Sequence, residues 1–101
     1  MHLVQILLPV TVDGEPVPRD HFRAVTRELT DRFGGLTAYT RAPASGLWQS
    51  PTGSTTADEV VVYEVMVSDL DRAWWSDYRR ALEVRFRQEE IVLRVQAIER
   101  L

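Results

Sequence analysis

The hydrophobic pattern changes from the period of a strand to that of a helix twice along the chain, and each time it changes back. Residues 2–12, HLVQILLPVTV, are apolar and rich in β-branched side chains and stop at Asp13-Gly14, which predicts a strand followed by a turn. From about residue 19, apolar side chains recur every three or four positions, which predicts an amphipathic helix. Gly34 and Gly35 end this helix, because glycine takes the left-handed C-cap conformation without a Cβ penalty. The apolar positions of the helix are Phe22, Val25, Leu29 and Phe33.

Two further strand patterns follow this helix. Residues 36–41, LTAYTR, alternate between polar and apolar side chains, and residues 59–67, EVVVYEVMV, form the strongest strand pattern in the chain. The residues between them, 42–58, are rich in Pro, Gly, Ser and Thr. This composition is compatible with a long loop or with an irregular extension of a hairpin.

A second helix and a closing strand complete the pattern. Ser68 and Asp69 offer N-caps for a helix that begins near residue 70, and residues 91–99, IVLRVQAIE, predict the last strand. The order is therefore β-α-β-β-α-β, which is the ferredoxin-like plan. We expect residues 1–101 to form one α+β domain, with both helices on one face of a four-stranded antiparallel sheet of strand order 4-1-3-2. The buried stripe of the second helix comprises Trp75, Tyr78, Leu82 and Phe86.

The other face of this sheet is left open by the plan. Successive side chains of a strand point to opposite faces, and we assign the more apolar set of each strand to the helices. The remaining set is still about half aliphatic, which is more than a small monomer exposes as one patch. We therefore expect a homodimer that covers this face, since two-fold symmetry is the commonest oligomeric form. The predicted open face carries Leu3, Leu7, Val62, Met66 and Val92, mixed with Gln5, Tyr39, Arg41, Glu64, Arg94 and Gln96.

Four polar side chains of the open face are candidates for a binding site: Tyr39, Arg41, Glu64 and Arg94. Two guanidinium groups and one carboxylate leave an excess positive charge, which could bind an anion through the bidentate fork of arginine. The alternative is that these charges form ion pairs within or across the dimer. We expect Arg41 to pair with Glu64 within one chain. Arg94 would then pair across the interface or bind an anion.

Trp48 is a further candidate, because it lies alone in the Pro-, Gly- and Ser-rich segment. It could close over a flat ligand or anchor the segment to the core, where tryptophan buries a large area. His2 and His21 have no recognised metal-ligand spacing, and the chain contains no P-loop, GxGxxG or HExxH motif. We therefore expect neither a metal nor another cofactor.

Composition limits the partners and the compartment. The formal net charge is -3 and basic residues are interleaved with acidic ones, which argues against binding to nucleic acid. The chain has no cysteine, so it has no disulfide, thiolate metal site or cysteine nucleophile. Residues 1–10 lack the features of a signal peptide, and no apolar run is long enough to span a bilayer. We expect a cytoplasmic protein without a membrane partner.

Three stretches together resemble a family of short, uncharacterised bacterial proteins. They are residues 32–48, 58–67 and 81–94, and the shared features are an FGGxT…GxW segment and a late RFxQExIxxR segment. The resemblance implies the ferredoxin-like fold but no agreed activity and no catalytic residues. A looser similarity is to dimeric α+β-barrel proteins, which include small cofactor-free oxygenases and degradative enzymes as well as non-enzymatic domains. That similarity rests on the fold plan alone.

Two classes of function fit the sequence. The first is a non-catalytic binding or assembly module, because no activated nucleophile or metal set is visible. The alternative is a small-molecule enzyme of the dimeric α+β-barrel type, whose substrate is a small anionic or aromatic molecule. It would bind beside the open sheet face, with the candidate side chains at its wall.

Overall fold

The computed structural model describes residues 1–49 and 55–101, and it describes side chains for residues 1–40 and 59–101. The strands β1, β4, β5 and β6 form one antiparallel sheet of order β4-β5-β1-β6. This is the predicted order 4-1-3-2 viewed from the other edge, so the ferredoxin-like α+β fold is confirmed. The elements are β1 (His2–Pro9), β2 (Thr11–Val12), β3 (Glu15–Pro16), α1 (Arg19–Phe33), β4 (Thr37–Gln49), β5 (Thr55–Val67), α2 (Arg72–Arg85) and β6 (Leu93–Ala97).

The core lies between the two helices and one face of the sheet. Val4, Ile6 and Leu8 of β1 are fully buried, as are Leu29 of α1 and Leu82 of α2. The residues between them on β1 point to the opposite face, because side chains alternate along a strand. Both helices therefore cover the same face, as predicted. The core is completed by Val25, Val61, Tyr63, Val65, Val67, Trp75, Phe86 and Ile91.

The first strand is shorter than predicted. It ends at Pro9, although the N–H of Val10 still donates to the carbonyl oxygen of Glu59 at 3.2 Å. β2 and β3 then pair as a separate small hairpin across Asp13 and Gly14, whose φ angles are 52° and 78°. Positive φ at both central residues is the signature of a type I′ turn, which Asp-Gly favours. The predicted turn is thus confirmed, but residues 11–12 belong to a different sheet.

The ends of the helices are set by local hydrogen bonds. Gly34 has a φ of 84° and donates its N–H to the carbonyl oxygen of Thr30 at 2.8 Å, which confirms it as the C-cap of α1. The N-cap of α2 is Asp71, whose Oδ1 accepts from the N–H of Trp74 at 3.0 Å. The predicted caps, Ser68 and Asp69, were therefore wrong, because the side chain of Asp71 reaches an N–H that α2 leaves unpaired.

Residues 44–49 and 55–60, mostly from the segment between the second and third predicted strands, form a hairpin extension. β4 and β5 pair from Ala44 opposite Val60 to Gln49 opposite Thr55, with a register shift between Tyr39 and Ala44. The alternative of a long loop is therefore wrong for the paired residues. Since β1 ends opposite Val60, this ribbon extends beyond the end of the central strand.

The connection from α2 to β6 is fixed by Glu83. Its Oε2 accepts a hydrogen bond from the N–H of Ile91 at 3.0 Å, and the Ile91 side chain is buried in the core. Ile91 therefore enters the core just before β6 begins, at Leu93 instead of the predicted residue 91. This contact sets where the register of β6 starts.

An ion pair joins the two helices. Arg85 donates from both of its terminal nitrogens to the carboxylate of Glu28, at 2.8 and 2.7 Å, and the hydroxyl of Tyr78 donates to the same carboxylate at 2.9 Å. The hydrogen bonds from Arg85 hold the pKa of Glu28 below its ordinary value of 4.5, although burial opposes them. Burial and the adjacent carboxylate raise the pKa of Tyr78. This bidentate geometry fixes the helices to each other.

We expect this pair to make stability depend on pH. The pKa of Glu28 is lowered on folding, so its stabilising contribution is complete above pH 4.5 and is lost as the pH falls through the lower folded-state pKa. Arg85→Ala should lower the free energy of unfolding at pH 7 by about 1 kcal/mol, the upper end for a partly exposed pair. Urea unfolding at pH 7 and pH 3 measures both effects. Arg23→Ala, at the exposed pair with Asp20, is the control and should change little.

Candidate functional site on the open sheet face

β1 pairs with β5 on one side and with β6 on the other. The register of these two pairings fixes which side chains lie next to one another across the strands, and such a set of neighbours is called a row here. Glu64 of β5 lies opposite Gln5 of β1, and Gln5 lies opposite Arg94 of β6. Thr37 of β4 lies opposite Glu64 and completes what we call the polar row, Thr37–Glu64–Gln5–Arg94. The flanking rows contain Met66, Leu3 and Gln96 on one side, and Tyr39, Val62, Leu7 and Val92 on the other.

Glu64 is held in place by its neighbours. The side-chain amide of Gln5 donates from Nε2 to Glu64 Oε1 at 2.7 Å, and the hydroxyl of Tyr39 donates to Glu64 Oε2 at 3.3 Å. Each carboxylate oxygen therefore has one donor, and each retains a lone pair that can accept another. The result is a half-buried carboxylate with a fixed direction, which can bind a cationic group of a ligand or of another protein chain.

The structure brings together some of the predicted site residues. Tyr39 and Glu64 are hydrogen-bonded, and Arg94 lies exposed in the polar row, two strands away from Glu64. The side chains of Arg41 and Trp48 lie outside the described residues. The pairing of Arg41 with Glu64 and the role of Trp48 therefore stay predictions.

Aliphatic side chains surround the polar row. Leu3, Leu7, Val62 and Val92 are partly exposed, and the side chain of Met66 is 50% exposed. Among residues 1–40 and 59–101, no element covers these side chains, because both helices lie on the opposite face. The predicted composition of the open face is thus confirmed for its described members.

One end of the open face opens into a groove that sequence analysis missed. Its volume is about 540 Å³, and it carries the carboxylate of Glu64 and the guanidinium group of Arg100. Arg100 follows the last strand, so no periodic pattern could assign it to this face. The glycine pair that ends α1 forms part of the wall. The remaining lining residues are Met1, Leu3, Phe33, Leu36, Thr37, Met66 and Ser68.

Several described aromatic side chains on the helix side of the sheet pack in or beside the core. Trp75 is buried and Trp74 is half-buried beside it, at 4.8 Å between ring centroids, which confirms their assignment to the core and its rim. The ring of His21 packs 5.7 Å from that of Phe86, measured between ring centroids. Within the described residues, no group of three His, Cys, Asp or Glu side chains is arranged to hold a metal ion, and no helix is long and apolar enough to cross a bilayer.

We expect the bond from Gln5 to orient Glu64 and to stabilise the sheet. Gln5→Met keeps the length of the side chain but removes the donor, so it should lower the free energy of unfolding by about 1 kcal/mol. Gln96→Met is the matched control, because Gln96 is exposed on the same face. Denaturant unfolding of Gln5→Met, Glu64→Ala and the double variant measures the coupling. Strictly additive losses would contradict an interaction between the two side chains.

Comparisons with known proteins support the fold. Neither protein-family models nor curated protein sequences gave a match. A solved phage SAM lyase in complex with S-methyl-5′-thioadenosine is similar in structure, with a TM-score of 0.62, 15% sequence identity and coverage of 94% of this chain and 79% of that chain. A point mutant of CutA1 from Pyrococcus horikoshii OT3 has a TM-score of 0.61 and 10% identity, over 100% of this chain and 86% of that chain. At these identities the likeness shows the ferredoxin-like fold alone, and the resemblance to a bacterial family gains no support beyond that fold.

Proposed function

We propose that the protein is an assembly and binding module that pairs with a second copy of itself through the open sheet face. The observation that carries this proposal is the set of aliphatic side chains beside the polar row, above all Met66, which is half exposed in a single chain. A sheet face in contact with water normally carries mostly polar side chains. Burial against a second copy would remove this apolar surface from water, which is the main driving force for association.

The mixture of side chains favours a specific interface. Charged and amide groups of the polar row lie between two rows that are mainly apolar, so an approaching surface must match both kinds of position. Imperfect matching would leave Glu64 or Arg94 buried without a partner, which costs several kcal/mol. A second copy of the same chain offers the same set of groups in a related arrangement.

We expect the isolated protein to be a dimer that a charge on the open face disrupts. Leu7→Asp and Met66→Asp place an unpaired carboxylate in the interface, and each should weaken association about 100-fold or more, because an unpaired buried charge costs about 3–5 kcal/mol. Light scattering coupled to size exclusion measures the mass. Val84→Asp is the control, since Val84 is 80% exposed on α2, away from the sheet.

Two outcomes of this experiment would count against the proposal. A wild-type protein that has the mass of one chain at micromolar concentration would contradict it directly. Dimers that survive both open-face changes would place the interface elsewhere. Circular dichroism of each variant separates loss of association from loss of folding, and Met66→Asp should fold normally because this side chain is already half exposed.

The second candidate is a small-molecule enzyme of the dimeric α+β-barrel type with an anionic substrate beside the open face. The groove at the end of the face favours it, since its volume is in the range of ligand pockets and its lining combines Glu64 and Arg100 with apolar residues such as Leu3 and Met66. Arg100 would take the anionic group of the substrate, and Glu64 a cationic or hydroxyl group. The similar phage lyase was solved with S-methyl-5′-thioadenosine, which adds this compound to the probes worth testing.

We expect a ligand of this groove to raise the melting temperature. At a concentration of about 100 Kd it should add about 2.7 kcal/mol to the free energy of unfolding. A thermal-shift screen would use S-methyl-5′-thioadenosine, small carboxylates, phosphates and aromatic acids. Gly35→Leu fills the groove and should abolish any shift, because a Cβ at this position meets no atom within 4 Å and the fold should tolerate it. An equal shift in wild type and Gly35→Leu would locate binding outside the groove.

A further inference from the structure

We infer that the second copy docks with its two-fold axis parallel to β1, so that Glu64 of each protomer pairs with the partner's Arg94. This inference rests on the proposed assembly through the open face and adds the orientation and the ion pairs that fix it. It follows from the order of groups in the polar row, taken together with the symmetry that two identical chains must obey.

The polar row places opposite charges on either side of β1. Glu64 lies directly opposite Gln5 on one side, and Arg94 lies directly opposite Gln5 on the other. Adjacent strands are about 4.8 Å apart, so Glu64 and Arg94 stand about 10 Å from each other with Gln5 midway between them. Both charged side chains project from the open face. The row therefore carries a negative charge on one side of β1 and a positive charge at the matching position on the other side.

A two-fold axis that runs above β1 and parallel to it exchanges the two sides of the row. Rotation by 180° about this axis turns the open face of the second copy towards that of the first. It places Glu64 over the partner's Arg94 and Arg94 over the partner's Glu64, while Gln5 meets the partner's Gln5. Two ion pairs form, and the amides between them can bond to each other because an amide is both donor and acceptor.

The other simple face-to-face arrangement is unfavourable. A two-fold axis that runs across the strands, along the polar row, keeps each side of the row in place. It brings Glu64 over the partner's Glu64 and Arg94 over the partner's Arg94. Like charges juxtaposed in an interface disfavour a complex strongly, so charge selects the axis parallel to β1.

The row of Val62, Leu7 and Val92 agrees with the same axis, whereas in the other flanking row Met66 would meet the partner's Gln96. Leu3 and Leu7 both belong to β1, so the rotation brings each over its own copy. Val62 and Val92 stand on either side of Leu7, as Glu64 and Arg94 do for Gln5, so Val62 would meet the partner's Val92. The apolar surface is thus matched by apolar surface along the centre of the interface. Aligned packing of two sheets at about −30° keeps these rows in contact.

Arg94 and the carboxylate of Glu64 can both form the additional bonds that the ion pairs with the partner require. Arg94 is exposed and makes no ion pair with any residue whose side chain the structure describes. The carboxylate of Glu64 accepts one bond at each oxygen, from Gln5 and Tyr39, and can accept more. The contacts from Gln5 and Tyr39 already restrict this carboxylate, so little side-chain entropy of Glu64 would be lost on association.

Charge reversal tests the pairing. Glu64→Arg alone and Arg94→Glu alone should each weaken self-association at least tenfold, because like charges then face each other at both pairs. An equimolar mixture of the two variants should form a 1:1 heterodimer, in which one ion pair has its native sign and the other is restored with reversed sign. Native mass spectrometry resolves the mixed dimer by mass, and the double variant should again form a homodimer.

Matched controls distinguish the effect of the ion pairs between Glu64 and Arg94 from the effect of a changed net charge. Asp77→Arg and Arg80→Glu make the same changes of charge at an exposed pair on α2, and their mixture should show no preference for heterodimers. Glu64→Gln and Arg94→Gln provide a milder test if a reversal fails to fold. Each should weaken the dimer by a similar factor, and the double variant should weaken it little further.

The outcomes distinguish this inference from the proposed function. If the wild type is a dimer that Leu7→Asp dissociates, but the reversed variants do not prefer each other, the axis and the ion pairs are wrong and assembly through the open face stands. If the wild type is a monomer or assembles through another surface, both this inference and the proposed assembly through the open face are wrong. A closed assembly of three or more chains would also overturn the two-fold arrangement. Selective formation of the mixed dimer would support the inference.

Discussion

The position of β1 between β5 and β6 constrains the rest of the molecule. Because both of its edges are hydrogen-bonded, its side chains can point only to the helices or to the open face. Val4, Ile6 and Leu8 form the centre of the core, and Leu3 and Leu7 leave the other face partly apolar. A slip of one residue would exchange these two sets. The same alternation therefore builds the core and creates the partly apolar open face.

Most of the fold could be predicted because its periods are strong and its helices and strands are well separated. The errors lie at ends of elements, where one local group decides the outcome. β1 ends at Pro9, three residues before the predicted end, and Asp71 displaces two other capping residues because its side chain reaches the N–H of Trp74. The hairpin extension could not be decided from composition, since small polar residues occur in loops and in exposed strands alike.

The candidate site was only partly predictable. Strand parity assigned Tyr39, Glu64 and Arg94 to one face, but the donor from Gln5 depends on the register of two strands whose bonded residues are 59 positions apart. Periodicity within one strand carries no information on that register. The same limit applies to the pair of Glu28 with Arg85, which joins two helices, and to Arg100, which lies beyond the last strand. Contacts between side chains that are far apart in the sequence are decided by how the helices and strands are arranged in three dimensions.

The bond from the N–H of Ile91 to Glu83 has a consequence for how the sequence can change. This bond and the burial of the Ile91 side chain hold Ile91 in one position. The number of residues after Ile91 then decides which side chains of β6 point to each face. An insertion of one residue between Ile91 and Arg94 would turn Arg94 towards the helices and expose Leu93 on the open face. An insertion of two residues would keep every side chain on its own face. A change in the length of this connection by an even number of residues therefore keeps the side chains of the edge strand β6 on their own faces, and a change by an odd number exchanges them. Whether the length is odd or even thus matters more than which residues the connection contains.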